Sequence, residues 1–457
     1  MKFGPGWRRV HLVGIGGAAM SAIARILVWS GLSVSGSDSI ESVVLDELRS
    51  IGVHVHSPHS KDLVAGSDVV VYSAAVQSDN PELLAAGSAE IPVISRGEAQ
   101  ALILSESRTI AIAGTHGKTT TSAMAATVLE TAGMDPTYMV GADIVGKGSG
   151  ARLGKSRFAV VEADEAYGAF LHLMPSIAVL LNVEVDHLDH YGTFQSLKDA
   201  FVAFMDSSTE RVVVFHQDPV AMTLAAPFDP LTFGFDESAG VRASEIEMDQ
   251  EGSSFHLRIQ GEDSVRVRLP VPGMHKIQNA LAAAAACWSV GVPPEAIATG
   301  LGLFPGLARR FEKRGLLGGA QMIDDYAHLP AEVETAIAAA KLGSYKRVLA
   351  VFQPHLYSRT KEMFREFGAV LGTSDMVIVM DVFPAREAPL PGVSGKLIVE
   401  ALCEVAPRKR VAYMPTLGDA AAFVAEVAQE GDLVLTMGAG DITTLPSLIE
   451  ALLLERS

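Results

Sequence analysis

A glycine-containing segment from Gly114 to Thr120, with the sequence GTHGKTT, follows an apolar run and precedes a helical pattern. Glycines allow successive backbone N–H groups to face phosphate oxygens, and the start of the following helix adds positive potential. Lys118 would neutralise the β- and γ-phosphates of a nucleotide, and the hydroxyl of Thr119 would bind magnesium. Because Ile112 stands where the usual pattern has glycine, the segment predicts a shortened phosphate loop; an ordinary strand–helix turn is the alternative.

Three acidic residues, Glu162, Asp164 and Glu165, come directly after the apolar run FAVV. Ligands bind at the carboxyl ends of strands in parallel sheets. Carboxylates beside a phosphate loop require a cation between them and the nucleotide. Magnesium favours few carboxylates together with phosphate oxygens and water. The pattern therefore predicts that Glu162 binds Mg²⁺, with a solvated acidic turn as the alternative.

A second polar cluster follows the apolar run IAVLL and contains Asn182, Asp186, His187, Asp189 and His190. Histidine and aspartate at this density can bind or orient a metal ion. A structural hydrogen-bond network is an equally good interpretation from the residues alone, and no spacing here matches a zinc site.

The amino-terminal segment carries Gly14, Gly16 and Gly17 after an apolar strand pattern, with Ala19 where a dinucleotide fingerprint often has glycine. Asp38 closes the next strand pattern, at a distance suited to a ribose hydroxyl. This segment would bind a dinucleotide or a nucleotide sugar, or would only pack a helix closely against the sheet.

Polar residues also follow two strand patterns near the carboxyl terminus. Asp325, Tyr326 and His328 follow the first, and His355 and Arg359 follow the second. We expect these two strands to be adjacent in the sheet, so that the two clusters form one site. Arginine is a natural bidentate partner of a carboxylate. The pattern therefore favours a substrate site over a surface ion pair.

The elements that position these residues fall into three segments. Alternating strand and helix patterns predict an α/β protein with a Rossmann-like domain at residues 1–104, a central P-loop ATPase-type domain at 105–307 and a second Rossmann-like domain at 308–457. Residues 229–270 alternate with a period of two, which predicts appended antiparallel strands.

Composition narrows the function classes. With 36 basic and 53 acidic residues, the net charge of −17 makes nucleic acids and anionic membranes poor partners. The two cysteines offer no disulfide or metal spacing, and the amino terminus has no signal-peptide pattern. The chain is therefore expected to be cytoplasmic, acting as a monomer or homodimer.

Taken in order, these motifs resemble the Mur ligase family. The resemblance spans nearly the whole chain and includes HLVGIGGAAMSAIA, SGSD, SAAVQSDNPE, GTHGKTTT, VEADE, DHLDHYG, RRFE, DDYAHLP, FQPHLYSRT and GAGDI. It implies an ATP- and Mg²⁺-dependent ligase of peptidoglycan precursor synthesis. The implied reaction joins L-alanine to the lactyl carboxylate of UDP-N-acetylmuramate through an acyl phosphate.

The resemblance also implies roles for individual residues. Those implied to bind the sugar nucleotide are Gly14, Gly16, Gly17, Ser37, Asp38 and Ser73. Those implied around ATP are Gly114, Thr115, His116, Gly117, Lys118, Thr119, Thr120, His275, Asn279, Arg310, Asp325 and Tyr326. Thr119, Glu162 and His187 are implied to bind Mg²⁺, and His328, His355 and Arg359 to face the amino acid. Catalytic roles are implied for Lys118, Glu162, His187 and His328.

Several positions differ from the usual family pattern. They are Ala166, Tyr167, Lys276, Leu329 and Leu356, and Phe201 stands where some Mur ligases have a carbamylated lysine. Because family members often have arginine at position 356, the acceptor stays open to glycine, serine, another small amino acid or a peptide. A non-catalytic UDP-sugar sensor would not need Lys118 and Glu162, and an NAD-dependent oxidoreductase would not explain a second nucleotide site.

Overall fold

The computed structural model describes residues 3–186, 188–249, 251–385 and 387–456. The chain divides into two compact units, Met1–Pro305 and Gly306–Ser457. The first unit contains two sheets and the second contains one. The α/β class predicted from the alternating patterns is confirmed, whereas the domain boundaries at residues 104 and 307 stay predictions.

The first sheet is parallel, in the order β3-β2-β1-β4-β5. Its strands are β1 (Arg9–Val13), β2 (Ser33–Ser37), β3 (His54–His56), β4 (Val69–Tyr72) and β5 (Val93–Ser95). Its helices are α1 (Ala18–Trp29), α2 (Val43–Ser50), α3 (Pro81–Ser88) and α4 (Arg96–Leu104), with a 3₁₀ turn at Lys61–Val64. The strand order reverses at β1, so the carboxyl end of β1 is the expected ligand-binding edge.

The second sheet has the order β15-β14-β13-β12-β11-β10-β6-β9-β7-β8 in the described part of the chain. Its strands are β6 (Arg108–Ala113), β7 (Thr137–Met139), β8 (Ala151–Arg152), β9 (Phe158–Glu162), β10 (Ile177–Leu180), β11 (Arg211–Phe215), β12 (Leu231–Gly234), β13 (Val241–Asp249), β14 (Gly252–Ile259) and β15 (Val265–Leu269). Strands β13 to β15 pair antiparallel, as the alternating pattern predicted, and extend a parallel centre.

Several helices pack against this sheet. The helices of this part of the chain are α5 (Lys118–Thr131), α6 (Leu188–Tyr191), α7 (Phe194–Asp206), α8 (Pro219–Ala225), α9 (Met274–Ser289) and α10 (Pro294–Gly302), with 3₁₀ segments at Ala166–His172 and Ala226–Phe228. Small residues let these helices approach closely: a Cβ at Gly300 would lie 2.6 Å from the Cα of Val128. This packing fixes α5, and with it the loop before α5, against α9 and α10.

The second unit has a smaller doubly wound sheet in the order β16-β17-β21-β18-β19-β20. Its strands are β16 (Glu312–Leu317), β17 (Ala320–Asp325), β18 (Val348–Phe352), β19 (Met376–Val379), β20 (Arg410–Tyr413) and β21 (Leu433–Met437). Its helices are α11 (Pro330–Lys341), α12 (Tyr357–Leu371), α13 (Lys396–Val405), α14 (Leu417–Val427) and α15 (Leu445–Arg456), with a 3₁₀ turn at Asp441–Thr444. Across both units, the described residues include no helix long and apolar enough to cross a membrane.

Candidate functional site

The segment from Gly114 to Gly117 joins β6 to α5 as a tight loop that only glycine fits at two positions. Gly114 has φ of 132° and Gly117 has φ of 87°. A Cβ at Gly117 would lie 2.6 Å from Oδ1 of Asn279 on α9, and one at Gly114 would lie 3.0 Å from the backbone N of Asn182. The loop backbone is therefore packed closely against the Asn182 backbone and the Asn279 side chain, so Asn279, predicted beside ATP, contacts the loop.

Asn182, at the carboxyl end of β10, holds the loop in place. Its Oδ1 accepts a hydrogen bond from the His116 N–H at 2.7 Å, and its Nδ2 donates to the His116 carbonyl at 3.0 Å. The hydroxyl of Thr115 accepts from the backbone N–H of Glu184 at 2.9 Å. For Asn182, the structure therefore favours the hydrogen-bond interpretation over metal binding.

Lys118 begins α5 and points back across the loop. Its Nζ donates to the Gly114 carbonyl at 2.7 Å and to Oε1 of Glu165 at 2.9 Å. Glu165 is 1 % exposed, and its other oxygen, Oε2, has no hydrogen-bond partner among the described residues. Burial raises the pKa of Glu165, although the charge of Lys118 opposes that shift. The sequence analysis considered Glu165 only as part of an acidic group beside a metal or in a solvated turn, so this buried ion pair with Lys118 was missed.

Two oxygen-bearing side chains lie beside this pair. The Thr119 hydroxyl donates to Oε1 of Glu162 at 3.1 Å, and the Gly141 N–H donates to Oε2 at 2.9 Å. Burial raises the pKa of Glu162, opposed by the charge of Lys118. A hydroxyl and a carboxylate at a phosphate loop are ligands that suit Mg²⁺. His187, the third predicted ligand, lies outside the described residues.

The other predicted nucleotide contacts lie on the two helices that flank the loop. Thr120 is buried in the first turn of α5, whereas His275 is exposed in the first turn of α9. Asp164, the middle acidic residue, pairs with Arg96 at 2.9 Å and is therefore used to join α4 to the end of β9. Of the three predicted acidic residues, Glu162 at the end of β9 is the one that contacts Thr119.

The predicted sugar-nucleotide loop crosses the carboxyl end of β1. Gly14 has φ of 79°, and a Cβ there would lie 3.1 Å from that of Ser73. The N–H groups of Gly14 and Ile15 both donate to the Ser37 carbonyl, at 2.9 and 3.0 Å. The loop is therefore held against the ends of β2 and β4, where Ser37 and Ser73 lie.

Asp38 fixes the next part of this loop. Its Oδ2 accepts a hydrogen bond from the Gly16 N–H at 2.9 Å, and a Cβ at Gly16 would lie the same 2.9 Å from that oxygen. Gly17 is the N-cap of α1. The hydroxyl of Ser37 faces the interior, where it donates to Glu82 at 2.6 Å. The predicted substrate contact of Ser37 is thus limited to its backbone.

In the second unit, Tyr326 lies between two arginines. The guanidinium carbons of Arg309 and Arg310 are 5.0 and 5.5 Å from its ring centroid. Asp325 shapes this turn, because its two carboxylate oxygens accept from the Phe311 and Ala327 N–H groups at 2.7 and 2.8 Å. Arg310, Asp325 and Tyr326, predicted together around the nucleotide, do lie together.

His328, His355 and Arg359 also form one cluster. The two histidine rings are 6.1 Å apart, and Nδ1 of His355 is 3.3 Å from a guanidinium nitrogen of Arg359. Burial lowers the pKa of His328, although Glu332 opposes the shift. The sequence interpretation took the two strands before these residues to be adjacent. That was wrong, since β21 lies between β17 and β18, and the loops meet across it.

The positions that differ from the usual family pattern have distinct environments. Leu356 has φ of 71°, and its N–H donates to the Phe383 carbonyl at 3.0 Å. Tyr167 has φ of 55°, is half exposed and contacts the His190 ring at 5.6 Å between centroids. Phe201 is buried in the core against Phe170. Leu356 and Tyr167 thus share a strained positive φ, whereas Phe201 packs in the core.

Three family models match successive parts of the chain. The model described as "Mur ligase family, catalytic domain" matches residues 9–108, "Mur ligase middle domain" matches 112–287, and "Mur ligase, glutamate ligase domain" matches 309–440. Together they cover the glycine loops at Gly14 and Gly114 and the histidine–arginine cluster of the second unit.

Similar proteins extend over almost the full length. UDP-N-acetylmuramate–L-alanine ligases from Thermobifida fusca and Phenylobacterium zucineum are 42% and 41% identical, covering 97% of this chain and 96% of each relative. A crystal structure of UDP-N-acetylmuramate–alanine ligase from Thermotoga maritima has a TM-score of 0.86 at 28% identity, covering 98% of this chain and all of that one. A murein peptide ligase from Psychrobacter arcticus has a TM-score of 0.73 at 23% identity, covering 98% of each chain, and shows the fold alone.

Proposed function

The chain belongs to the Mur ligase family, and on that premise we propose that it joins L-alanine to the lactyl carboxylate of UDP-N-acetylmuramate at the expense of ATP. This is an early amide-forming step of peptidoglycan precursor synthesis. The full-length relatives at 41 to 42% identity support alanine as the acceptor. The peptide-accepting neighbour is more distant and supports only the shared fold.

One observation carries the catalytic part of the proposal: Lys118 and the Thr119–Glu162 pair meet at a glycine loop. The positive φ of Gly114 and Gly117 turns the loop tightly into the start of α5, where backbone N–H groups suit triphosphate oxygens. Lys118 would hold the β- and γ-phosphates and spread charge from the transferring phosphoryl group. A sensor that only binds nucleotides would not need this lysine and carboxylate together.

Magnesium fits the same edge of the sheet. The Thr119 hydroxyl and Glu162 carboxylate present hard oxygen ligands, and we propose His187 as the third protein ligand. When bound there, Mg²⁺ supplies positive charge that offsets the repulsion between ATP and the substrate carboxylate. Burial raises the pKa of Glu162 even beside Lys118, and a bound cation would favour the ionised carboxylate.

The second unit supplies the groups we assign to the acceptor. Arg359 would bind the carboxylate of alanine, and His355 keeps its guanidinium in place at 3.3 Å. His328, whose pKa is lowered by burial, would be neutral at pH 7 and able to accept a proton from the alanine ammonium. Arg310 and Tyr326 would contact the nucleotide from this unit.

The sugar nucleotide is assigned to the loop at Gly14. The loop leads into the start of α1, whose first N–H groups suit a diphosphate, and Asp38 and Ser73 lie beside it. We further propose three domains at residues 1–104, 105–307 and 308–457, a cytoplasmic location where ATP is available, and a monomer or homodimer. Closure of the carboxyl-terminal domain would exclude water from the acyl phosphate.

The reaction can be tested by substrate omission. Purified protein is mixed with ATP, MgCl₂, UDP-N-acetylmuramate and L-alanine, and ADP and phosphate release are measured with each component left out in turn. We expect full turnover only in the complete mixture. Phosphate release that does not depend on UDP-N-acetylmuramate, or a change in nicotinamide absorbance when NADH is supplied, would contradict the proposal.

A further inference from the structure

A buried carboxylate lies beneath the Gly14 loop and has no part in the functions assigned above. Glu82, in the first turn of α3, is completely buried. Its carboxylate accepts hydrogen bonds from Nε2 of His11 at 3.0 Å, from the Ser37 hydroxyl at 2.6 Å and from the Ser60 N–H at 2.9 Å. Three separate segments of the first sheet therefore meet at one side chain.

The charge on Glu82 is maintained by its partners. Burial opposes ionisation, but the hydrogen bonds from His11, Ser37 and Ser60 outweigh it and hold the pKa of Glu82 below its usual value. His11 is itself completely buried, and its Nδ1 lies 2.8 Å from the Ser35 hydroxyl. Well-packed apolar residues commonly stabilise a core at least as well as a buried ion pair does. A requirement for position, rather than for stability, explains this arrangement better.

Ser37 connects the carboxylate to the loop. Its hydroxyl contacts Glu82 and Nδ1 of His59, at 2.6 and 2.8 Å, while its carbonyl accepts from both Gly14 and Ile15. The same residue is thus fixed from below by a charged group and supports the loop above. A shift of Ser37 would move the two N–H groups at the carboxyl end of β1.

We propose that Glu82 is a positioning residue for the sugar nucleotide. It acts through Ser37, which holds the turn at Gly14 and Ile15 and so sets the start of α1 for a diphosphate. This inference rests on the proposed function, because it takes the Gly14 loop to be the UDP site. The role is indirect: Glu82 is buried and would reach the ligand only through the strand end it holds.

The test compares UDP binding by wild-type protein and two variants in isothermal titration calorimetry. Glu82→Gln keeps the size of the side chain but replaces one carboxylate oxygen with an NH₂ group. That NH₂ group would face donors that bind the carboxylate in the wild-type protein. We expect the dissociation constant for UDP to rise about tenfold, because Ser37 loses its charged acceptor and the turn at Gly14 that it supports is held less firmly in its binding position. The KM for ATP should stay within about twofold, since the Gly114 loop is not attached to Glu82.

Coupling separates positioning from general weakening. If Glu82 acts through Ser37, then Ser37→Ala weakens UDP binding too, and the double variant is no weaker than Glu82→Gln alone. If the fold-increases in the UDP dissociation constant of the two single variants multiply in the double variant, the inference is overturned. Unchanged UDP affinity in folded Glu82→Gln protein, or in Ser37→Ala protein should Glu82→Gln not fold, would also overturn it.

Asp68→Asn is the matched control. Asp68 accepts from the N–H groups of Arg8 and Arg9 at 2.7 and 2.8 Å, at the opposite end of β1. This variant should lose stability but keep the UDP affinity of wild type. A tenfold loss of UDP affinity in the control would show that any weakened sheet gives the effect, and would overturn the inference. Failure of the wild-type protein to bind UDP would instead refute the proposed sugar-nucleotide site itself.

Discussion

Lys118→Ala should unfold more readily than wild type as well as lose ATP turnover. In the structure Nζ of Lys118 lies 2.9 Å from Oε1 of Glu165, and the two side chains are 13% and 1% exposed. Removing the lysine leaves a buried carboxylate without its cation, and Oε2 of Glu165 has no partner among the described residues. Removing one partner of a buried ion pair lowers the free energy of unfolding by about 3–5 kcal/mol. Because Lys118 is partly exposed, we expect the lower end of that range, about 3 kcal/mol.

The measurement is urea unfolding of three proteins: wild type, Lys118→Ala, and Lys118→Ala combined with Glu165→Gln. The double variant should regain most of the lost free energy of unfolding, because it removes the unpaired charge. It should not regain ATP turnover. Binding of UDP-N-acetylmuramate should persist in both variants, since its proposed site is on another sheet. Equal stability of Lys118→Ala and wild type, or a double variant less stable than the single one, would refute this explanation.

The pH dependence gives the same prediction a second check. Burial raises the pKa of Glu165, and loss of Lys118 removes the main opposing interaction, so the pKa rises further. When the pKa of a carboxyl group is raised in the folded state, the folded protein binds the proton at a higher pH than the unfolded chain does. The destabilising effect of that group therefore decreases as the pH falls through that pKa. The stability deficit of Lys118→Ala should be smaller at about pH 5.5 than at about pH 8.

Three further substitutions test other parts of the site. Gly117→Ala should raise the KM for ATP about tenfold, since the φ of 87° is strained for alanine and its Cβ would meet Asn279; an unchanged KM would contradict the close-approach argument. Glu162→Gln should raise the Mg²⁺ concentration for half-maximal phosphate release at least about tenfold, and an unaltered Mg²⁺ requirement would remove Glu162 from the metal site. Leu356→Arg should lower the KM for L-alanine by adding a cation near Arg359 but leave the KM for ATP unchanged; no effect on either would exclude position 356 from the acceptor site.

Much of the fold follows from local sequence. The apolar runs of β6 and β9, and the glycine that ends α5, predicted their elements because each signal lies within a few residues. The short strands β3 and β16 were not predicted. In His54–His56 a single buried residue lies between two exposed ones, which is too short an alternation to detect. Most of Glu312–Leu317 is exposed at a sheet edge. Such strands depend on pairing with a neighbour rather than on their own pattern.

The candidate site was predictable where one loop carries it and not where distant segments meet. Lys118 and Thr119 lie in the same seven-residue segment as Gly114 and Gly117. Residue type and spacing were therefore enough to predict a phosphate loop there. The pairing of Lys118 with Glu165 joins residues 47 positions apart, and that of His11 with Glu82 joins residues 71 apart. In the sequence, nothing distinguishes Glu165 or Glu82 from other acidic residues. Only the strand order brings each of them to its partner and shows that it is buried.

The central claim is that L-alanine is the acceptor, and it is tested most directly by a screen of amino acids. Phosphate release is measured with ATP, MgCl₂ and UDP-N-acetylmuramate, adding each of the twenty amino acids singly and determining kcat/KM for those that respond. The account predicts the largest kcat/KM for L-alanine, with Leu356 a tolerated difference from the usual arginine. A larger value for glycine, serine or another amino acid, or no response to any of them, would contradict it.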